Sequence, residues 1–207
     1  MQKITCRCDT VVEIDTPDCI DLDSDPLSLH RMAEGDTPSA VCPRCGALLR
    51  AELPLAVQSK DRGIDLVVLS EKERLSVYRG KADPKGSSEI VLGYKELFER
   101  AKALDDGLDP RAVEVMKYAL QSKAEEAEPD AETSVLYNGL KHDSLEFHIL
   151  GLKSGQAGVI KLPRSSYDKV LVDLPSTMSK EPMKTVFSGR YKSISKLGFL
   201  SSTSEPD

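Results

Sequence analysis

The chain's apolar positions fall into two kinds of pattern, and they divide it roughly in half. Residues 2–6 and 10–16 alternate apolar and polar side chains and predict two short strands around a tight turn. Asp25, Pro26 and Gly35 read as the N-cap, first position and stop of a short helix whose face is Leu29, Met32 and Ala33. Residues 39–41 and 47–53 predict a second strand–turn–strand unit, and residues 64–69 a strongly apolar strand. Residues 75–78 read as a further strand or a helical turn, and residues 81–88 as a loop.

The period then changes. Tyr94, Leu97, Phe98, Ala101 and Leu104 mark one helix, ended by Gly107. Asp109 caps a second, with Pro110 at its first position and a stripe of Ala112, Val115, Met116, Ala119 and Leu120. Beyond an Ala- and Glu-rich connector, Leu145, Phe147 and Ile149 alternate with Glu146 and His148, as on a sheet with one wet face. Residues 153–155 signal a turn, residues 159–162 a returning strand, and residues 134–140 a third. Residues 166–174 fit helix or strand, 177–184 read as loop and 201–207 as a frayed tail.

The predicted class is therefore α+β. A zinc-ribbon-like antiparallel β module with an inserted short helix spans 1–80. A helical hairpin over 89–126 packs on it, residues 127–133 form a linker, and 134–200 form a small β-rich region.

Composition narrows the function. The 207 residues carry a net charge of −6, with 5 % aromatics and no Trp, so the main partner expected is not duplex nucleic acid, which calls for a basic face. No apolar run approaches the ~18 residues of a spanning helix, and no signal-peptide core precedes Cys6. The expectation is a cytoplasmic protein away from membranes.

The cysteines supply the chemistry. Four of the five form two close pairs, Cys6/Cys8 and Cys42/Cys45, each inside a predicted strand–turn–strand unit. Such turns bring two thiolates to one ion, and two of them close a four-sulfur tetrahedron around a structural Zn²⁺. Pro43 fixes φ early in the second turn and Gly46 permits a left-handed residue after Cys45. The gap from Cys8 to Cys42 holds 33 residues, longer than the usual ribbon spacing of about 15–20; the inserted helix accounts for the excess. Arg7 and Arg44, inside the turns, offset the site's negative charge. Two other readings stay open: unmetallated core thiols, and a thiol redox or metal-handling pair at Cys42/Cys45. Cys19 reads as a lone thiol, and His30 as a surface or core residue that could substitute as a ligand. Asp18, Asp21, Asp23 and Asp25 look like a cation loop but lack the Gly and Glu of an EF-hand.

The elements Ile4-Thr5-Cys6-Arg7-Cys8, Cys42-Pro43-Arg44-Cys45-Gly46, Glu52-Leu53-Pro54-Leu55 and residues 103–111 resemble the CpXC-type domain family of uncharacterised bacterial and archaeal proteins. The resemblance covers about residues 1–125 and implies a zinc-ribbon-like fold with Cys6, Cys8, Cys42 and Cys45 as ligands. It implies no activity. The first pair is Cys-Arg-Cys here, where many members carry Cys-Pro-x-Cys.

No phosphate loop, G-x-S-x-G or H-E-x-x-H occurs, and the three histidines, His30, His142 and His148, do not form a motif. No catalytic residue is assigned. The functional expectation is a non-enzymatic structural-zinc module that binds a protein partner. The alternatives are a nucleic-acid-associated regulator, with Arg7 and Arg44 or the basic residues 190–196 approaching phosphates, and the thiol redox protein.

Overall fold

A computed structural model describes residues 2–50, 54–82, 84 and 88–202. The fold is mixed α+β, and the chain divides into two compact units, Met1–Phe98 and Glu99–Asp207.

The first unit opens with β1 (Gln2–Thr5) and β2 (Val11–Ile14), antiparallel with Thr5 opposite Val11. A second hairpin pairs β4 (Ser39–Val41) with β5 (Leu48–Arg50), Val41 opposite Leu48. These are the two predicted strand–turn–strand units. Part of the expected 47–53 strand, residues 51–53, lies outside the described residues, as do residues 83 and 85–87 of the expected loop and 203–207 of the expected tail.

What lies between and after the hairpins is more than a helix. Strand β3 (Cys19–Asp21) runs parallel to β6 (Leu55–Ser59), which turns back antiparallel into β7 (Ile64–Leu69). Strand β8 (Glu89–Leu92) adds parallel to β7, giving the order β3-β6-β7-β8. The alternation of Leu55, Val57 and Ser59 with Ile64, Leu66 and Val68 places all six side chains in the interior.

Helix α1 (Ser28–Ala33) begins later than Asp25-Pro26 suggests. Its N-cap is Leu27, without a side-chain cap, and the Asp25 carboxylate accepts from Arg31. Leu29 and Met32 are buried as expected; Ala33 is exposed. Residues 71–73 form a 3₁₀ turn leading into α2 (Arg74–Tyr78), so the 75–78 segment is helical. The Ser70 hydroxyl caps that turn by accepting from the Lys72 amide.

Helix α3 (Gly93–Asp105) spans the division, and α4 (Pro110–Ala127) belongs to the second unit. Asp109 caps α4 as predicted, accepting from the Arg111 amide at 2.8 Å. The buried stripe differs from the predicted one. Ala112, Met116 and Leu120 are inside, joined by Val113, Glu114, Lys117 and Ala124, while Ala119 faces solvent. A helix covered on two sides needs a wider buried arc than one stripe. That cover comes from the C-terminal sheet and α5 (Arg164–Met178), and the compact units divide ahead of the expected 127–133 linker.

The C-terminal sheet is antiparallel, β11-β10-β9, built from β9 (Ser134–Lys141), β10 (Ser144–Leu150) and β11 (Gly158–Pro163). His142 and Asp143, both with positive φ, make the two-residue β9–β10 turn. Leu145, Phe147 and Ile149 enter a core with Tyr137, Met116, Tyr167 and Leu174. The ambiguous 166–174 segment is the middle of α5, and α6 (Met183–Val186) and α7 (Ser195–Ser202) follow, so the C-terminal region is as helical as it is β.

One ionic network lies inside this unit. Lys117 Nζ donates to Glu99 at 2.9 Å and Glu114 at 2.7 Å; Glu99 also accepts the Tyr137 amide and Glu114 the Ile194 amide. All four carboxylate oxygens are engaged, and Glu99 and Glu114 each also tie down the backbone of another segment, which is how buried charge is tolerated.

Candidate metal centre

The two hairpins present their turns to each other, and each turn carries one cysteine pair. In the second turn the Cys42 amide donates to Ala47 O at 2.9 Å and the Gly46 amide to Cys42 O at 2.9 Å, with Gly46 left-handed at φ 71°. The first turn repeats this one residue shorter. There the Cys6 amide donates to Thr10 O at 2.9 Å and the Asp9 amide to Cys6 O at 2.8 Å, with Asp9 at φ 63°. Asp9 thus takes the role of Gly46; Asp tolerates left-handed backbone better than most residues. In both turns the left-handed residue directly follows the second cysteine, so Cys-x-Cys does the work of Cys-x-x-Cys.

The result is one cluster. The Sγ atoms of Cys6, Cys8, Cys42 and Cys45 all lie within 4.8 Å of one another. Two contacts cross between the hairpins: Cys6 to Cys45 and Cys8 to Cys42, both 3.5 Å between sulfurs. Sulfurs placed about 2.3 Å from a central ion at tetrahedral corners stand about 3.8 Å apart. The spacing and the all-sulfur donor set fit a thiophilic divalent ion, and the four residues could hold one.

The surroundings treat the sulfurs unequally. Backbone amides of Cys45 and Arg44 face the Cys42 sulfur and lower its pKa against the cost of burial. The Thr10 hydroxyl, 3.3 Å from Cys8 Sγ, and the Thr10 amide hold Cys8 down at about 6. Cys6 receives the Cys8 amide, yet burial and the neighbouring sulfurs outweigh it and push Cys6 up to about 11. Four adjacent thiols cannot all ionise unaided; a divalent cation removes that conflict. Cys6 and Cys42 are buried, Cys8 half-buried and Cys45 exposed. Around them the interior is small: Val12 is buried, with Ala40, Ala47 and Leu49 partly so.

The arginines are not equivalent. Arg44 Nη1 donates to Cys8 O at 2.9 Å, tying the second turn to the first, while Arg7 is exposed. His30 is on α1, exposed and 3.3 Å from Glu34, outside the cluster. Cys19 is exposed on β3, its pKa raised by burial and by Asp21 and Asp65. The acidic loop serves the fold. Asp23 accepts from the Ser59 hydroxyl and, at 2.7 Å, from the Lys60 amide, and so holds the β6–β7 turn.

A second polar cluster, on the outer face of the C-terminal sheet, was legible only as a wet face. Glu146 accepts from Asn138 at 2.7 Å, Lys141 at 3.1 Å and His148 at 3.2 Å. The alternation of Glu146 and His148 was the signal for it.

Comparison with known proteins agrees with the cysteine pattern. An uncharacterized protein of Treponema pallidum (strain Nichols) is 27 % identical over 190 residues, covering 82 % of this chain and 87 % of that protein. That coverage necessarily extends into the C-terminal region, where the sequence carried no family resemblance. No solved structure matches. No described helix is long and apolar enough to cross a membrane. The CpXC protein family matches residues 4–117, more than half of the chain and the whole of the four-cysteine cluster, and this protein belongs to that family.

Proposed function

We propose that this protein is a non-enzymatic, cytoplasmic binding module in which Cys6, Cys8, Cys42 and Cys45 hold one structural Zn²⁺. The closed sulfur cluster carries this reading. Four mutually adjacent thiols fill all four positions of a tetrahedral ion, leaving none for water or substrate, and closed sites supply folding energy rather than chemistry. The module's surface supports a protein partner. Val11, Val41 and Leu48, which flank the turns, are exposed at 57 %, 62 % and 53 %, and Val41 and Leu48 are directly paired across the hairpin. Apolar side chains gathered on a scaffold this small suit a protein surface better than phosphates, and Arg44 is turned inward to Cys8 O.

The test is elemental analysis of the full chain purified without chelator or affinity metal. Near one zinc per chain, lost in Cys42→Ser together with stability, is the expected result; a metal-free chain that folds normally overturns the reading. A Val41→Asp/Leu48→Asp variant should keep its zinc and lose a partner that the parent protein captures. Equal capture of that partner would refute the assigned surface.

A further inference from the structure

The cysteine cluster is graded in accessibility, and two of its sulfur contacts run between the hairpins. Cys45 is exposed, whereas Cys6 and Cys42 are 2 % and 1 % exposed. A small oxidant therefore meets Cys45 first. Across the hairpins Cys45 Sγ stands 3.5 Å from Cys6 Sγ, and Cys8 Sγ stands 3.5 Å from Cys42 Sγ. Within the second turn it is the amide of Cys45 that faces the Cys42 sulfur. An exposed thiol with a second thiol at hand has the geometry of a peroxide-reactive pair.

We propose that this centre is a hydroperoxide modification site: Cys45 is the attacking sulfur, Cys6 the resolving one, and the disulfide formed links the two hairpins and expels the metal. The inference rests on the structural-zinc reading above. The Cys45 sulfur attacks a peroxide oxygen, the O–O bond breaks, and Cys45 becomes a sulfenic acid as the other oxygen leaves as water or alcohol. Cys6 sulfur then attacks the Cys45 sulfur, the S–O bond breaks, and that oxygen leaves as water after taking a proton. Two thiolates, one hydroperoxide and two protons give one disulfide, one water and one water or alcohol. The cluster then offers only Cys8 and Cys42, too few for a structural ion. Those two, already in contact, form the second cross-hairpin disulfide with a second equivalent. The modified protein keeps its hairpins joined covalently where the metal joined them before, so the proposed partner surface persists in a metal-free form.

The experiment treats the full-length protein, its zinc content measured first, with graded hydrogen peroxide. Released zinc is followed with a chromogenic chelator, and disulfides are mapped by alkylation and peptide mass spectrometry. The expected result is loss of the zinc in step with Cys6–Cys45 and then Cys8–Cys42 cross-links, reversed by a dithiol and added zinc. Cys45→Ser should slow release by at least about tenfold, and Cys19→Ser should not change it. If Cys45→Ser fails to load zinc, the disulfide map of the parent protein decides alone. Zinc retained while Cys19 oxidises, or a Cys42–Cys45 link in place of the cross-hairpin pair, overturns this proposal and leaves the structural-zinc reading standing. A chain that carries no metal as purified overturns that reading itself.

Discussion

The paired hairpins and the C-terminal unit solve the same problem with opposite means. The hairpins have strands of three or four residues and bury few aliphatic side chains, Val12 beside Cys6 and Cys42 and Ile14 at the end of β2. The C-terminal unit buries fourteen residues in a single cluster, Phe147 and Leu145 completely. The C-terminal unit therefore has an extended apolar core of its own, and the hairpins have almost none. In the proposed reading, sulfur coordination stands where their core would be. The largest effects of perturbation should therefore have different chemical origins in the two regions.

Metal removal is the strongest way to sharpen this contrast. Structural zinc contributes on the order of 10 kcal/mol in small metal-held domains. A strong chelator should abolish amide-exchange protection over β1, β2, β4 and β5 and leave β9–β11 protected. Equal loss in both regions, read by hydrogen exchange, would break the comparison. The reverse experiment is Phe147→Ala. It empties the best-packed position of the C-terminal core and should destabilise that unit by about 3–5 kcal/mol without changing zinc content. Denaturant unfolding alongside metal analysis checks both halves of that statement.

Legibility in the sequence follows the same division. The knuckle hairpins and the cysteine grouping were readable because a metal site is written in local spacing: two pairs, two turns, flanking alternation. The C-terminal strands were readable from period two. Strands β3, β6 and β8 were not. Each is three to five residues long, and β3 and β8 pair in parallel with strands distant in sequence, so no turn announces them. The acidic composition around Asp18–Asp25 masked β3, because Asp21 and Asp23 read as a solvated loop when Asp23 is in fact the fastening of the β6–β7 turn. The 166–174 segment fitted helix and strand alike because the exposed Leu171 and Val172 of α5 blur the helical period. Tyr167 and Leu174, its buried anchors, lie two turns apart.

A smaller effect, gated by pH, separates the regions electrostatically. Hydrogen bonds from Asn138 and Lys141, against the cost of burial, and a further one from His148 hold the Glu146 carboxyl at about 2, below its ordinary value of 4.5. A carboxylate with its pKa lowered in the folded state adds stability above 4.5, and that stability is lost as pH falls toward 2. The C-terminal unit should weaken over this window, and Glu146→Gln should flatten the acid limb of its stability profile. An unchanged acid limb, measured on the parent and variant by circular dichroism at several pH values, would remove Glu146 from the account. The proposed metal would leave the hairpins in acid for a different reason, protonation of the cysteine thiolates, so their transition should follow zinc release and ignore the Glu146 substitution.

The smallest predicted effect concerns the start of α4. Asp109 accepts from the Arg111 amide at 2.8 Å, and its own amide donates to the Tyr167 hydroxyl at 2.8 Å. The first contact caps a helix whose early amides have no partner of their own; the second joins the α4 entry to α5 through the backbone. Asp109→Ala removes the first, together with the carboxylate's contacts to the Arg111 guanidinium, and leaves the second. It should cost about 1 kcal/mol, the usual worth of an N-cap, and Asp109→Asn should recover most of it, because the amide oxygen of Asn can accept the same bond. Were the Arg111 guanidinium, which also contacts this carboxylate, the main contributor, Asn would behave like Ala and the loss would shrink as salt rises. Urea unfolding of the three proteins at low and high ionic strength decides between the two. Zinc content should stay constant throughout, since the cap belongs to the unit that holds none of the cysteines.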